Sequence, residues 1–208
     1  MADKMKSKTQ YYFVKNGIDS KLIDSVEEQE KIYEACFLGG LRHSKGISEF
    51  VPIWKKVTAK FPQAKFLVIG GGSTEIVNKL KEDIKKANLE NNIILTGPLS
   101  GNELFKKMKS SKLFLFPSHE EGWGISVCEA MYCGLPVVCY DLPAFEIFGD
   151  AINKHKIGNF EKLAEKVVYY LKNQGEIEKK KPNLIKTAKR FTWENIAQEE
   201  FDIYKNII

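Results

Sequence analysis

The stretch KLFLFPSHEEGWGISVCEAMYCGLPVVCYD, residues 112–141, decides how the rest of the chain is read. It opens on an apolar run ended by Pro117 and Ser118. A Gly-Trp-Gly loop follows at 122–124, then Ile125, Cys128 and Met131 recur at helical spacing up to Gly134, with Pro136 just beyond. LPVVCYD (135–141) closes the stretch with a second apolar run. Run, loop, helix, glycine stop and run again predict two parallel strands joined through a helix. The same stretch sets Glu121 before the helix and Glu129 inside it. Either these carboxylates belong to a site or their placement is incidental.

Working outward, four more segments repeat the theme. EACFLGGL (34–41), KFLVIGGG (65–72) and NIILTG (92–97) are short apolar runs bounded by glycine, as expected of strands buried on both faces. YYFVKNGID (11–19) is a weaker β-prone run ending in an Asn-Gly turn. Helical patterns fill the gaps. Ile47, Phe50, Val51, Trp54, Val57 and Phe61 share one face, with Pro52 in the first turn or at a kink. Ser73 or Thr74 caps a helix carrying Ile76, Leu80, Ile84 and Ala87, and Ser100 with Glu103 forms a capping-box pattern before Leu104 and Met108. Asn159 opens a helix with Phe160, Leu163, Val167 and Leu171, and a last one from Thr192 carries Trp193, Ile196, Tyr204 and Ile207. Strand and helix alternate at least four times, so the fold class is α/β, a doubly wound parallel sheet. Residues 1–15 are expected to be a tail or an appended segment, and 16–208 the domain.

Composition narrows the function. The 208 residues are 43% hydrophobic, enough for one substantial core. A net charge of +5 favours an anionic ligand but falls short of a nucleic-acid footprint. No apolar run approaches the roughly 20 residues of a membrane span, and MADKMKSKTQ lacks a signal core. Cys36, Cys128, Cys133 and Cys139 lie in apolar segments without a CxxC pair, which suits free thiols in a reducing cytoplasm and no metal. The Lys-rich EIEKKKPNLIKTAKR (176–190) reads as a solvated helix face and a loop.

In a doubly wound sheet, ligands bind beyond the carboxyl ends of the strands. Three loops there carry chemistry. Lys45 and Arg42 precede a helix, a natural phosphate clamp. IGGGSTE (69–75) begins like G-x-G-x-x-G with Gly70 and Gly72, but Glu75 stands where the third glycine belongs, so it specifies no ligand. In the third loop, backbone N–H groups of about residues 123–126 are free for an oxyanion, between Glu121 and Glu129. An ionised carboxylate only accepts hydrogen bonds, so carboxylates on either side of an anion site suit a ligand with hydroxyls at both ends and a diphosphate between. Spacing alone favours a plainer alternative, Glu121 complementing the helix dipole and Glu129 exposed.

Taken together, these motifs resemble a family. EGWGISVCEAMYCGLPVV is similar to the Glu-x7-Glu signature of the retaining GT-B glycosyltransferases of group 1, and LGGLRHSKGI (38–47) resembles its G-R-L-x-x-x-K-G. KFLVIGGG, NIILTGPLSGNEL and LFLFPS follow in the family's order, and FTWENIA (191–197) is similar to its closing helix. The resemblance implies one half of a GT-B fold, the Rossmann-like donor-binding domain of a hexosyltransferase, entered near the NGID at 16–19. An acceptor-binding domain is then expected upstream or on a separate chain. By the same resemblance Glu121 meets the donor sugar's hydroxyls, the backbone of Gly122, Trp123 and Gly124 holds the sugar, Ile125 and Ser126 hold the diphosphate, Glu129 binds the ribose, and Lys45 the pyrophosphate. The motif's Arg falls on Gly40, with Arg42 its candidate replacement, and the base is expected against Gly72 and the Thr96–Leu99 loop. The implied donor is a UDP-, GDP- or ADP-linked sugar, with no metal or further cofactor. The acceptor is a lipid-linked, polysaccharide or small-molecule hydroxyl, and any membrane contact is peripheral. The alternative is a stand-alone, non-catalytic nucleotide-sugar-binding or regulatory module; a sugar-nucleotide epimerase suits the motifs less well. His43 and His119 read as solvated loop residues.

Overall fold

Within the Rossmann-like sheet, β1 (Ala35–Leu38), β2 (Phe66–Ile69), β3 (Ile93–Gly97), β4 (Phe114–Phe116), β5 (Val137–Tyr140) and β6 (Asn153–His155) lie in the order β3-β2-β1-β4-β5-β6, every neighbouring pair parallel. The structure, a computed structural model, describes Tyr12 and residues 14–205. Its helices are α1 (Ser20–Asp24), α2 (Phe50–Thr58), α3 (Thr74–Lys86), α4 (Gly101–Lys109), α5 (Ile125–Tyr132), α6 (Phe160–Lys172), α7 (Gln174–Lys189) and α8 (Trp193–Lys205). The expected doubly wound α/β fold is what forms.

The core explains why the apolar runs became strands. Phe66–Ile69, Phe114–Phe116 and Val137–Tyr140 are buried at every position, which only a sheet covered on both faces achieves. Phe37 stacks on Phe116 with ring centroids 5.5 Å apart and meets Phe50 edge-on at 4.9 Å, so β1, β4 and α2 share one aromatic layer. Such pairs add about 0.5–1.5 kcal/mol each beyond area burial. α2 contributes Phe50, Ile53, Trp54 and Val57, with Pro52 in the first turn where its missing N–H leaves no bond unmade. Ser73 caps α3 by accepting from the Ile76 N–H at 3.3 Å, and Asn159 caps α6 through the Lys162 N–H at 3.2 Å.

Several expectations need correction. Ser100 makes no capping bond, and Gly101 beside it takes φ +58. β6 has no apolar run to announce it: Asn-Lys-His lies at the sheet edge, half-buried throughout. Lys-rich 176–190 belongs almost wholly to α7, carried through Pro182, because Ile177, Leu184 and Ala188 are buried. Of the β-prone run at 11–19, Tyr11 and Phe13 lie outside the described residues. The rest forms no strand beyond a bridge of Ile18 to Thr192. That bridge ties the start of the domain to its end, with the Ile18 N–H on the Phe191 carbonyl at 2.8 Å. Most of the expected tail, 1–15, and Ile207 also lie outside the described residues. No helix among them is long and apolar enough to cross a membrane.

Candidate functional site

The strand order reverses between β1 and β4, so the loops leaving these two strands part and open a crevice at the carboxyl end of the sheet. A pocket of about 630 Å³ fills that crevice. One wall is the loop after β1, with Gly39, Gly40 and Lys45; the other is the loop after β4, from Glu121 to Gly124, running into the first turn of α5.

Lys45 and Glu121, 76 residues apart in sequence, form an ion pair across the crevice, and the Lys45 ammonium also lies 3.5 Å from the Glu120 carbonyl oxygen. Both side chains are largely sheltered, with 18% and 10% exposure. The loops are stitched beside this pair. The His119 N–H donates to the Ser44 carbonyl at 2.8 Å, and the Ser118 hydroxyl donates to the same oxygen at 3.2 Å. α5 begins at Gly124, which has φ +94 and no side chain to cap the helix. The first N–H groups of α5 lack intrahelical partners, and Gly124, Ile125 and Ser126 line the pocket. Ile125 is exposed there rather than packed inward, and Val127, Cys128, Ala130 and Met131 bury the helix instead. Glu129 lies on the pocket side, one turn in, where burial pushes its carboxyl up to about 7. The Trp123 ring lies edge-on to Phe148 and Phe191, with its indole N–H buried and unpartnered among the described residues, which anchors the Gly-Trp-Gly loop from behind.

Of the residues singled out from sequence, the pocket gathers Lys45, Glu121, Gly122, Trp123, Gly124, Ile125, Ser126 and Glu129. It leaves out Arg42, Gly72, Thr96 and Leu99. The Arg42 guanidinium folds back over Gly40, its nearest nitrogen 3.1 Å from where a Cβ on Gly40 would stand, so it borders the pocket without lining it. Gly72 packs against the Leu41 carbonyl, and the Thr96 hydroxyl is turned to the carbonyls of Gly97 at 2.7 Å and Val68 at 3.4 Å. Asn16 also lines the pocket, a residue the sequence marked as part of a turn and of the entry to the domain but not of the site. His119 is not simply solvated: its Nε2 lies 2.8 Å from the Glu49 carboxylate. His43 is exposed. All four cysteines are buried and free, and burial holds the Cys36 and Cys128 thiols up at about 12, so neither is a nucleophile. Among the described residues no cluster of three or more His, Cys, Asp or Glu side chains could hold a metal.

With this geometry in view, the comparisons agree with one another. A family model described as glycosyl transferases group 1 matches residues 19–191. The poly(glycerol-phosphate) alpha-glucosyltransferase of Bacillus subtilis (strain 168) is 28% identical over 193 residues, which are 90% of this chain and 28% of that protein. Among solved structures, Anabaena HepE in complex with UDP and glucose superposes with a TM-score of 0.80 at 19% identity, over 93% of this chain and 56% of that one. The C-terminal domain of a glycosyl transferase group 1 family protein (LpcC) from Francisella tularensis superposes with a TM-score of 0.72 at 21% identity, over 83% of this chain and 97% of that one. At such identities the superpositions speak for the fold alone. The chain spans 26–30% of the length of the first three curated relatives.

Proposed function

The chain belongs to the glycosyl transferases group 1 family, and from that premise we propose that it is the donor-binding half of a retaining hexosyltransferase. In this reading the pocket takes a nucleoside diphosphate sugar. The observation that carries it is the meeting of an uncapped helix start, one lysine and two carboxylates in a single crevice. The diphosphate sits on the N–H groups of Ile125 and Ser126 and on Lys45, where helix dipole and ammonium act together. Glu121 accepts from the sugar hydroxyls and Glu129 from the ribose hydroxyls. The base extends toward Gly72 and Leu99, in the loops after β2 and β3, and toward Thr96 near the end of β3, and Arg42 borders the diphosphate over Gly40.

The chemistry follows from what the groups can do. Transfer with retention places the acceptor hydroxyl on the face the diphosphate leaves. The bond from the anomeric carbon to the diphosphate breaks as the bond to the acceptor oxygen forms. Negative charge then grows on the departing diphosphate, where fixed N–H dipoles and Lys45 are already aimed. The acceptor comes from a partner domain or a separate chain, so the chain alone binds donor without turning it over. UDP complexes among the fold neighbours, HepE included, support a uridine nucleotide as the first to try.

Titration calorimetry against UDP, GDP and ADP tests the reading. One of them binds, and Lys45→Ala weakens it by about tenfold or more, the loss expected of a charge-assisted bond. Glu121→Gln acts oppositely on the bare diphosphate, since it frees Lys45 from its partner, yet it weakens the intact sugar nucleotide. Silence toward all three nucleotides overturns the proposal.

A further inference from the structure

Beside the Lys45–Glu121 pair lies a second network, none of whose side chains lines the pocket. The Glu49 carboxylate, only 14% exposed, accepts from two side chains of two other segments. One is the Tyr140 hydroxyl at the end of β5, on a residue buried completely. The other is His119 Nε2, at 2.8 Å, in the loop after β4. The His119 and Tyr140 rings also meet edge-on, with centroids 5.3 Å apart. Glu49 stands four residues after Lys45 and His119 two before Glu121, so this carboxylate ties together the two loops that carry the ion pair. A third tie lies between them. Gly46, at φ +69, runs so close to Pro117 that a Cβ on it would lie 1.9 Å from the Pro117 carbonyl oxygen.

We propose that Glu49, His119 and Tyr140 are positioning residues: through Glu49 they fix the distance between Lys45 and Glu121 and so keep both groups set for a ligand. The physical case is one of satisfaction. A carboxylate this sheltered is costly unless its oxygens are hydrogen-bonded, and both are. Burial and the adjacent Glu49 carboxylate push the Tyr140 hydroxyl far above its ordinary value, so it remains a donor throughout the working range. Removing either donor leaves Glu49 to seek water or another cation, and the one lysine on its own loop is Lys45, four residues before it, which would then leave Glu121. The network is thus poised to choose the partner of Lys45 without touching the ligand.

The proposal takes from the functional reading only that Lys45 and Glu121 are the working groups, and its test separates the two. Each lysine is acylated with a limiting amine reagent and quantified by mass spectrometry, with exposed Lys55 as internal reference. In His119→Ala and Tyr140→Phe the relative labelling of Lys45 changes by about threefold or more, as the coupling of directly networked groups leads one to expect. His119→Gln, which keeps an N–H donor, stays near wild type. Unchanged labelling in variants whose thermal midpoint matches wild type overturns the proposal. So does a change seen only where that midpoint has fallen, since that reports general loosening. In calorimetry with UDP, the same variants lose affinity in the wild-type background but not alongside Lys45→Ala; equal losses in both also overturn it. If wild type binds no nucleotide, the functional reading fails and the labelling alone decides this one.

Discussion

Two glycine-rich turns stand at the carboxyl ends of this sheet, Gly70–Gly72 after β2 and Gly122–Gly124 after β4, and they do opposite work. The first turn is filled by the protein itself. A Cβ on Gly70 would lie 1.9 Å from the Gly39 carbonyl oxygen, one on Gly72 would lie 2.6 Å from that of Leu41, and Ser73 caps the helix that follows. The second is open at Gly122. Nothing lies within 4 Å of a Cβ on Gly122, and no side chain caps α5. Gly70 and Gly72 let two backbones touch and Gly124 lets its backbone pass the Phe145 ring, 2.7 Å from where a Cβ would stand, whereas Gly122 leaves its part of the second turn open. A glycine motif therefore identifies a binding site only once the occupant of the space is known.

The contrast breaks most visibly at Gly70. Its φ of +147 suits a residue without a Cβ, and the Gly39 backbone that blocks a side chain there cannot swing aside. Gly70→Ala is expected to lower stability by about 3 kcal/mol, read as a fall in the urea midpoint at constant slope. It should also damage the pocket, because Gly39 lines it. A variant within about 1 kcal/mol of wild type would show that the first turn has slack and that the two turns differ less than their packing implies.

How much of this was legible in sequence depends on how local the cause is. β1, β2, β4 and β5 announced themselves because strands buried on both faces must be apolar, β3 because Ile93, Ile94 and Leu95 are apolar even though it lies half-buried at the other edge, and Ser73 and Asn159 because a capping side chain serves its own helix. β6 was silent because an edge strand can be polar, and α7 was blurred because only Ile177, Leu184 and Ala188 hold it to the core. Within the site, the order of motifs brought Glu121, Glu129 and Lys45 into view. Their mutual distances were not legible: the Lys45–Glu121 pair and the Glu49–His119–Tyr140 network join segments about 70 to 90 residues apart, which no spacing rule reaches. Gly72 and Thr96 drew attention by position in the loops, yet both are spent on backbone contacts.

Glu129 sharpens the contrast by measuring the cost of keeping the second turn ready. Burial raises its carboxyl from 4.5 in the unfolded chain to about 7 in the fold, so the folded state holds its proton more tightly. The sign follows from linkage: its contribution is favourable below about pH 4.5, declines as pH rises toward 7, and is flat beyond. Glu129→Gln removes this slope. The variant should match wild type near pH 4 and exceed it by about 3 kcal/mol at pH 8, as read from denaturant midpoints across the range. Parallel curves for the two proteins would mean that the pocket solvates Glu129 well and that readiness costs the fold nothing there.

The smallest effect is expected where the space is empty. Gly122 has no positive φ to protect and no neighbour for an added methyl to strike, so Gly122→Ala should leave stability within about 0.5 kcal/mol of wild type. The same methyl projects beside Glu121, where the proposed donor sugar lies. Bare nucleoside diphosphate, seated on α5 and Lys45, should bind the variant as it binds wild type, while the sugar nucleotide binds it less tightly. That split isolates the space itself, because no charge or hydrogen-bonding group has been altered. Equal binding of both ligands to both proteins would place the sugar away from Gly122, and a loss of stability would mean that Gly122, like Gly70, is packed by its own chain.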